Sequence, residues 1–360
     1  MDKPILSIVV PTFDRPHFLR NCLESIANQT SRDFEVVVVA NGALKSNYRV
    51  INEFKDRLPS LKVVRNDENI WSWEDLSVFF RGVYKPGLEA STGQFILFLS
   101  DDNALSEEFV ERVLRIFASN PECVGVTGSC VNKDLVTGRQ YPSLTAQASL
   151  LRPSLEDGKS LALRALSSEK NDHQDLSDPG FGYVVKSSLY RDEDLQEAIW
   201  MGYEVVQLQF LLPQGMVGFD SEAVYYWGRH PEQINKELNK RIGMLRYYAI
   251  LQRSGEALSV DFWHSRFGPD WSKRLDKIYK PRRFPHSLRF IWQDSPYVLL
   301  VMLDIRKIVA QPLRIREVLK TDAREAIFWI VIPQSLLHLF INLCQRGVST
   351  LHRRISSGLK

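Results

Sequence analysis

From Ile5 to Val10 the chain is apolar and mostly β-branched apart from Ser7, and the run stops at Pro11. The period then changes. Between His17 and Gln29 the apolar residues Phe18, Leu19, Cys22, Leu23 and Ile26 recur at the spacing that places them on one face of a helix. A second apolar run, Phe34 to Ala40, broken only by Glu35, ends in Asn-Gly, and a helical stretch from Tyr48 to Leu58 and a third strand from Leu61 to Arg65 follow it. Strands without polar alternation are buried on both faces, so this alternation predicts an α/β fold with a parallel sheet covered on both sides.

Gly87 to Gly93 leads into a fourth strand, Gln94 to Leu99, which runs straight into Ser100-Asp101-Asp102-Asn103 before a helix from Glu107 to Ser119. In open α/β sheets ligands bind beyond the carboxyl ends of the strands, so Thr12, Asn41 and Asp101 are expected to face one crevice. Two adjacent carboxylates there are hard oxygen ligands, suited to Mg²⁺ or Mn²⁺ bridging a pyrophosphate. Taken alone, the same Asp-Asp-Asn also reads as a turn that caps the next helix. Val124 to Val131 reads as a further strand, and Lys133 to Asp175 as a polar, mixed excursion with no assignable chemistry. Beyond about residue 236 the pattern becomes one of basic helical segments punctuated by proline pairs, which divides the chain into 1–235 and 236–360.

Composition sharpens this division. Hydrophobic residues make up 44% of the chain and charged residues 25%, as in folded globular proteins. The net charge of +3 is unevenly spread, because residues 281–360 carry 13 Lys and Arg against 5 Asp and Glu. These basic residues alternate with long apolar runs, which favours an anionic membrane surface over nucleic acid. The segment 326–345 holds no formally charged residue, yet Pro333, Gln334, His338 and Asn342 make it more polar than a spanning helix, so an interfacial helix is expected. A buried helical subdomain or a dimer face is the alternative. Four cysteines without a CxxC pair point to free thiols in a reducing compartment, and the short N-terminal apolar run fails as a signal peptide. The expected location is the cytoplasm, peripheral on the inner face of the cell membrane. No Walker loop or serine elbow is present.

Several spaced motifs resemble glycosyltransferase family 2, the inverting family of GT-A fold, and in particular its bacterial surface-polysaccharide members. They are Pro11-Thr12-Phe13-Asp14-Arg15, Gln29-Thr30, Phe34-Glu35, Ala40-Asn41-Gly42-Ala43, Asn69 and GLEASTGQFILFLSDD, in the family's order over residues 4 to about 130. The resemblance implies a Rossmann-like nucleotide-sugar-binding domain followed by a mainly helical region. It implies that Pro11, Thr12, Phe13, Asn41, Asn69 and Asp101 hold the nucleotide sugar. It further implies that Asp102 reaches the metal and diphosphate and that His230, in EAVYYWGRHPEQI, completes the metal shell or meets phosphate. The base that takes the acceptor proton would be Glu204 in GYEVVQL, with Asp178, Asp192 and Asp194 as alternatives, and one carboxylate suffices for an inverting transfer.

Two departures from the family pattern matter. Ala40-Asn41 stands where two acids are usual, so an amide replaces the carboxylate expected at the base edge, and Leu99 stands at a third acidic position. Trp71 and Trp73, in NDENIWSW, either stack on a base or sugar or pack beneath the nucleotide loop. The implied function is transfer of a sugar from a nucleotide-diphosphate sugar to a glycan or lipid-linked saccharide in surface polysaccharide synthesis. The missing acids keep open a non-catalytic nucleotide- or glycan-binding membrane scaffold. A sugar-nucleotide pyrophosphorylase would open with a glycine-rich loop where this chain has PTFDRP.

Overall fold

The computed structural model describes residues 4–71, 77–142, 154–161, 182–193, 200 and 211–233. Trp73, Asp178, Asp194, Glu204, the expected boundary near 235 and the whole basic helical region, with 326–345, lie outside the described residues. No described helix is long and apolar enough to cross a membrane.

The N-terminal half follows the expected alternation. Strand β1 (Leu6–Thr12) leads to helix α1 (Pro16–Ala27), β2 (Phe34–Asn41) to α2 (Lys45–Glu53), and β3 (Leu61–Asn66) to a short turn α3 (Ser77–Phe79). A π-helical turn, Phe80–Tyr84, then joins α4 (Lys85–Ala90), which precedes β4 (Phe95–Phe98). The pair β5 (Ala104–Leu105) and α5 (Phe109–Ser119) leads into β6 (Cys123–Asp134). Three short strands follow, β7 (Gln140–Pro142), β8 (Leu155–Asp157) and β9 (Val184–Lys186), and the long β10 (Met216–Arg229) comes last. All described strands form one sheet in the order β3-β2-β1-β4-β9-β6-β10-β5, with β7 on β6 and β8 on β10.

The parallel expectation is met by β3, β2, β1 and β4. It needs correction beyond them, because β9 runs antiparallel to both β4 and β6. Nor is the stretch from Lys133 to Asp175 wholly irregular, since β7 and β8 lie within it. Three-residue strands carry too few side chains to show a period, which is why no pattern marks them.

Burial on both faces of the sheet explains why these runs are almost wholly apolar. Leu6, Ile8, Val10, Val36, Val38, Phe95, Leu97 and Leu99 pack in one cluster with Leu19, Leu23 and Ile26 of α1, Val50 and Ile51 of α2, and Phe109, Val113 and Phe117 of α5. The residues between them face the other side, where the Tyr84 ring lies 4.8 Å from that of Phe98 and the Phe98 ring lies 5.3 Å from that of Tyr190. Both faces exclude water, so no position along these strands tolerates a polar residue without a partner.

Glu35 is the instructive exception. It is buried in β2, where its Oε1 accepts from Ser7 Oγ of β1 at 2.7 Å and from the backbone N and Oγ1 of Thr92 at 2.6 and 2.9 Å. Its Oε2 lies 2.7 Å from Lys62 Nζ of β3. One carboxylate therefore ties three strands and the turn before the fourth at the amino end of the sheet. Burial alone would raise its pKa, but the Lys62 ammonium and the Ser7 and Thr92 donors outweigh burial and hold it below its ordinary value. Its stabilising contribution is thus complete above the unfolded pKa of 4.5 and is lost as pH falls through the lowered folded value. Glu35→Gln is expected to cost about 2 kcal/mol at neutral pH, with the gap closing below the unfolded pKa. Urea denaturation at the two pH values checks this, and a gap that does not change with pH would contradict it.

Candidate nucleotide-sugar site

The crevice begins with Pro11. Adjacent residues of a central parallel strand bond to opposite neighbours, and the Ile5 and Val9 carbonyls accept from Phe95 and Leu99 on the β4 side. Pro11 nitrogen points the same way, just past the last paired residues, Val9 and Phe98. Its missing N–H therefore costs nothing, and β1 and β4 part at this point. The order β3-β2-β1-β4 makes this gap the switch point of the parallel half, where such sheets bind ligands.

Four expected residues meet in the gap. Thr12, at the end of β1, donates from Oγ1 to Asp101 Oδ2 at 2.7 Å. Arg15, in the β1–α1 loop, forks across the acidic pair, with Nη2 on Asp101 Oδ1 and Nη1 on Asp102 Oδ2 at 3.2 Å. His230, just past β10, places Nε2 at 3.0 Å from the same Asp102 oxygen. A carboxylate only accepts, so His230 Nε2 carries the proton here and orients Asp102; ligation through that nitrogen requires the proton to leave. Phe18, in the first turn of α1, lies against both side chains: its ring is 4.3 Å from that of His230 and 5.9 Å from the Arg15 guanidinium carbon.

The two acids are not equivalent. Asp101 is fully buried and both its oxygens are taken, by Arg15 and Thr12. Burial pushes its carboxyl up to about 7 against the pull of Arg15, with Asp102 adding to the rise and the Thr12 hydrogen bond opposing it. Asp102 reaches the crevice with a side chain 12% exposed. Its Oδ1 has no hydrogen-bond partner among the described residues. Those residues contain no group of three His, Cys, Asp or Glu able to hold an ion by themselves. One available carboxylate fits Mg²⁺ or Mn²⁺ held largely by water and a diphosphate, and does not fit a protein-built cage.

Thr12 owes its orientation to Asn47 in the first turn of α2, whose Nδ2 donates to Thr12 Oγ1 and to the Phe13 carbonyl, both at 3.1 Å. Because the Thr12 oxygen accepts from Asn47, its own proton is directed at Asp101. The Phe13 ring stands at the rim, 42% exposed.

The second wall is the loop after β3, and here Asn41 departs from expectation. Its Oδ1 accepts from Asn66 Nδ2 at 3.1 Å and from Ile70 N at 2.9 Å. Its Nδ2 donates to Asn69 Oδ1 at 2.8 Å and to the Ile70 carbonyl at 3.3 Å. All four hydrogen-bonding capacities of the amide are spent on the loop, leaving none for a base edge. Asn41 organises the loop, while Asn69 is exposed and turns its oxygen inward. Asn66 also donates to the Gly82 carbonyl of the π-helical turn at 3.0 Å. Gly42 has φ +66°, and a Cβ there would lie 2.4 Å from Asn69 N, so only glycine permits this close seating. Trp71 packs edge-on against Phe79 at 4.9 Å, an arrangement that matches the packing alternative. Arg15, Asn47 and Asn66 were not expected at the site. Arg15 lies within a quoted motif, whereas Asn47 and Asn66 act on partners remote in sequence and carry no local signal.

Residues 7–161 match the family model described as glycosyl transferase family 2. An uncharacterized glycosyltransferase of Haemophilus influenzae is 35% identical over 117 residues, 32% of this chain and 36% of the relative. A PGL/p-HBAD biosynthesis glycosyltransferase of Mycobacterium bovis is 33% identical over 110 residues, 30% of this chain and 39% of the relative. The chain thus spans less than half the length of these curated relatives. In fold it is similar to S. aureus TarS 1-349 in complex with UDP-GlcNAc, with a TM-score of 0.52 and 15% identity, covering 80% of this chain and 77% of that one. Residues 7–161 therefore match a family 2 glycosyltransferase domain, and the described fold is of the GT-A type.

Proposed function

We propose that this chain is an inverting, Mg²⁺- or Mn²⁺-dependent glycosyltransferase that moves a sugar from a nucleotide-diphosphate sugar to a glycan or lipid-linked saccharide in surface polysaccharide synthesis. The observation that carries the reading is Asp102, an acid with one oxygen unpartnered among the described residues, at the switch point of a family 2 domain. The UDP-GlcNAc bound by TarS supports a nucleotide-sugar donor, and the PGL/p-HBAD biosynthesis named for the mycobacterial relative supports a biosynthetic sugar transfer.

In this reading Pro11, Thr12, Phe13 and Asn69 line the nucleotide side of the crevice, and Asp101 holds Thr12 and Arg15 in place. Asp102 would hold the ion, with His230 orienting it. When bound, the ion neutralises charge on the departing diphosphate. Glu204 would take the proton of the acceptor hydroxyl as its oxygen bonds to the anomeric carbon and the bond to the nucleoside diphosphate breaks on the opposite face. The basic C-terminal region would hold the protein at the inner, cytoplasmic face of the membrane, beside its acceptor.

The test is release of nucleoside diphosphate by the full chain from a panel of nucleotide sugars with lipid-linked acceptors, with and without anionic vesicles. Release that EDTA abolishes and vesicles enhance is expected. The spent Asn41 amide favours one second reading, a non-catalytic binder acting as a membrane scaffold, and absence of release from every donor would establish it in place of the transferase.

A further inference from the structure

We propose that Arg15 is the resident counter-cation of the acidic pair and makes divalent-ion binding conditional on the diphosphate that accompanies it, an inference that rests on the nucleotide-sugar reading of the site. The guanidinium spans both carboxylates, and its planar fork matches two acceptors better than a point charge does. The Arg15 side chain is only 20% exposed, so this ion pair is largely shielded from solvent and salt.

An ion arriving alone meets an unfavourable exchange. Asp101 offers it no accessible oxygen, because the residue is fully buried with Arg15 on one oxygen and Thr12 on the other. Asp102 offers Oδ1, while its Oδ2 is shared by Arg15 and His230. One carboxylate oxygen beside a fixed positive charge is a poor site for a second cation, since like charges at close range repel strongly where water is scarce. A diphosphate alters both terms: it contributes oxygen ligands of its own, and it gives the guanidinium another anion to pair with. Asp101 keeps its hold on the other arm of the fork, braced through Thr12 by Asn47. Arg15 is thus a positioning residue that keeps the empty site from collecting metal.

Mn²⁺ alone, titrated into the full chain and followed by the electron paramagnetic resonance of the free ion, tests this directly. The wild type is expected to bind more weakly than about 1 mM. Arg15→Gln is expected to bind at least about tenfold more tightly, and Arg15→Lys, which keeps a charge but loses the fork, to fall between them. Adding UDP or GDP should make the wild type retain Mn²⁺ through gel filtration. Equal affinity of wild type and variants for Mn²⁺ alone would overturn the role of Arg15 while leaving the transferase reading intact. Failure to retain Mn²⁺ with either nucleotide would overturn both. If circular dichroism shows that Arg15→Gln does not fold, Arg15→Lys against wild type decides.

Discussion

Asp102→Asn is expected to lower turnover by on the order of 10³-fold, equivalent to about 4 kcal/mol of lost transition-state stabilisation. The amide keeps the shape of the carboxylate and can still accept from Arg15 and His230, so the fold should survive. What it cannot supply is negative charge to an ion facing the diphosphate. Asp101→Asn provides the contrast. That carboxylate is fully buried and braces both Thr12 and Arg15, so its replacement weakens one of the two partners of a shielded cation and should cost about 2–3 kcal/mol of stability before chemistry is considered. Thermal melts and kcat measured together separate the two, and equal losses of stability in both variants would refute the division of labour.

Gly228→Ala is expected to have the largest effect of any single methyl addition near the site. An ideal Cβ at Gly228 would lie 1.8 Å from the Asp102 carbonyl oxygen and 2.8 Å from Leu135 Cδ1. Neither β10 nor the acidic turn can yield without loss, since Gly228 N donates to Asn103 Oδ1 at 3.0 Å and Asn103 Nδ2 bonds the Tyr225 hydroxyl. Separation of the two segments would also draw His230 away from Asp102. A loss of about 3 kcal/mol, with activity falling alongside, is expected from such overpacking. Unchanged urea stability and turnover would show that the turn is more yielding than this packing implies.

The parts of the fold that were legible in the chain are those whose environment is uniform. Strands β1, β2 and β4 announce themselves because both of their faces are dry, and α1 and α5 because one face is. The antiparallel β9 was not legible, since Tyr183-Val184-Val185 carries no information about direction. At the site, the position of Asp101 and Asp102 could be read from the strand before them, but their inequality could not. It depends on Thr12 and Arg15, 86 to 89 residues away in sequence. Asn41 shows the same limit from the other side. Its place at the end of β2 was evident, yet whether an amide reads a base or braces a loop is decided by Asn66, Asn69 and Ile70, which supply every partner it can use.

The placement of β9 between β4 and β6 has a consequence for the order in which the nascent protein can assemble. Strands β3, β2, β1 and β4 need nothing from later in the chain and can pair as soon as they leave the ribosome. β6 emerges well before β9, so a slot must stay open beside β4 until residues 184–186 arrive to fill it. Only afterwards does β10 bring Gly228 and His230 against the acidic turn. The site is therefore the last feature of the described sheet to be completed, and a truncated translation product ending before residue 228 would carry the acidic pair without Gly228 and His230 against it.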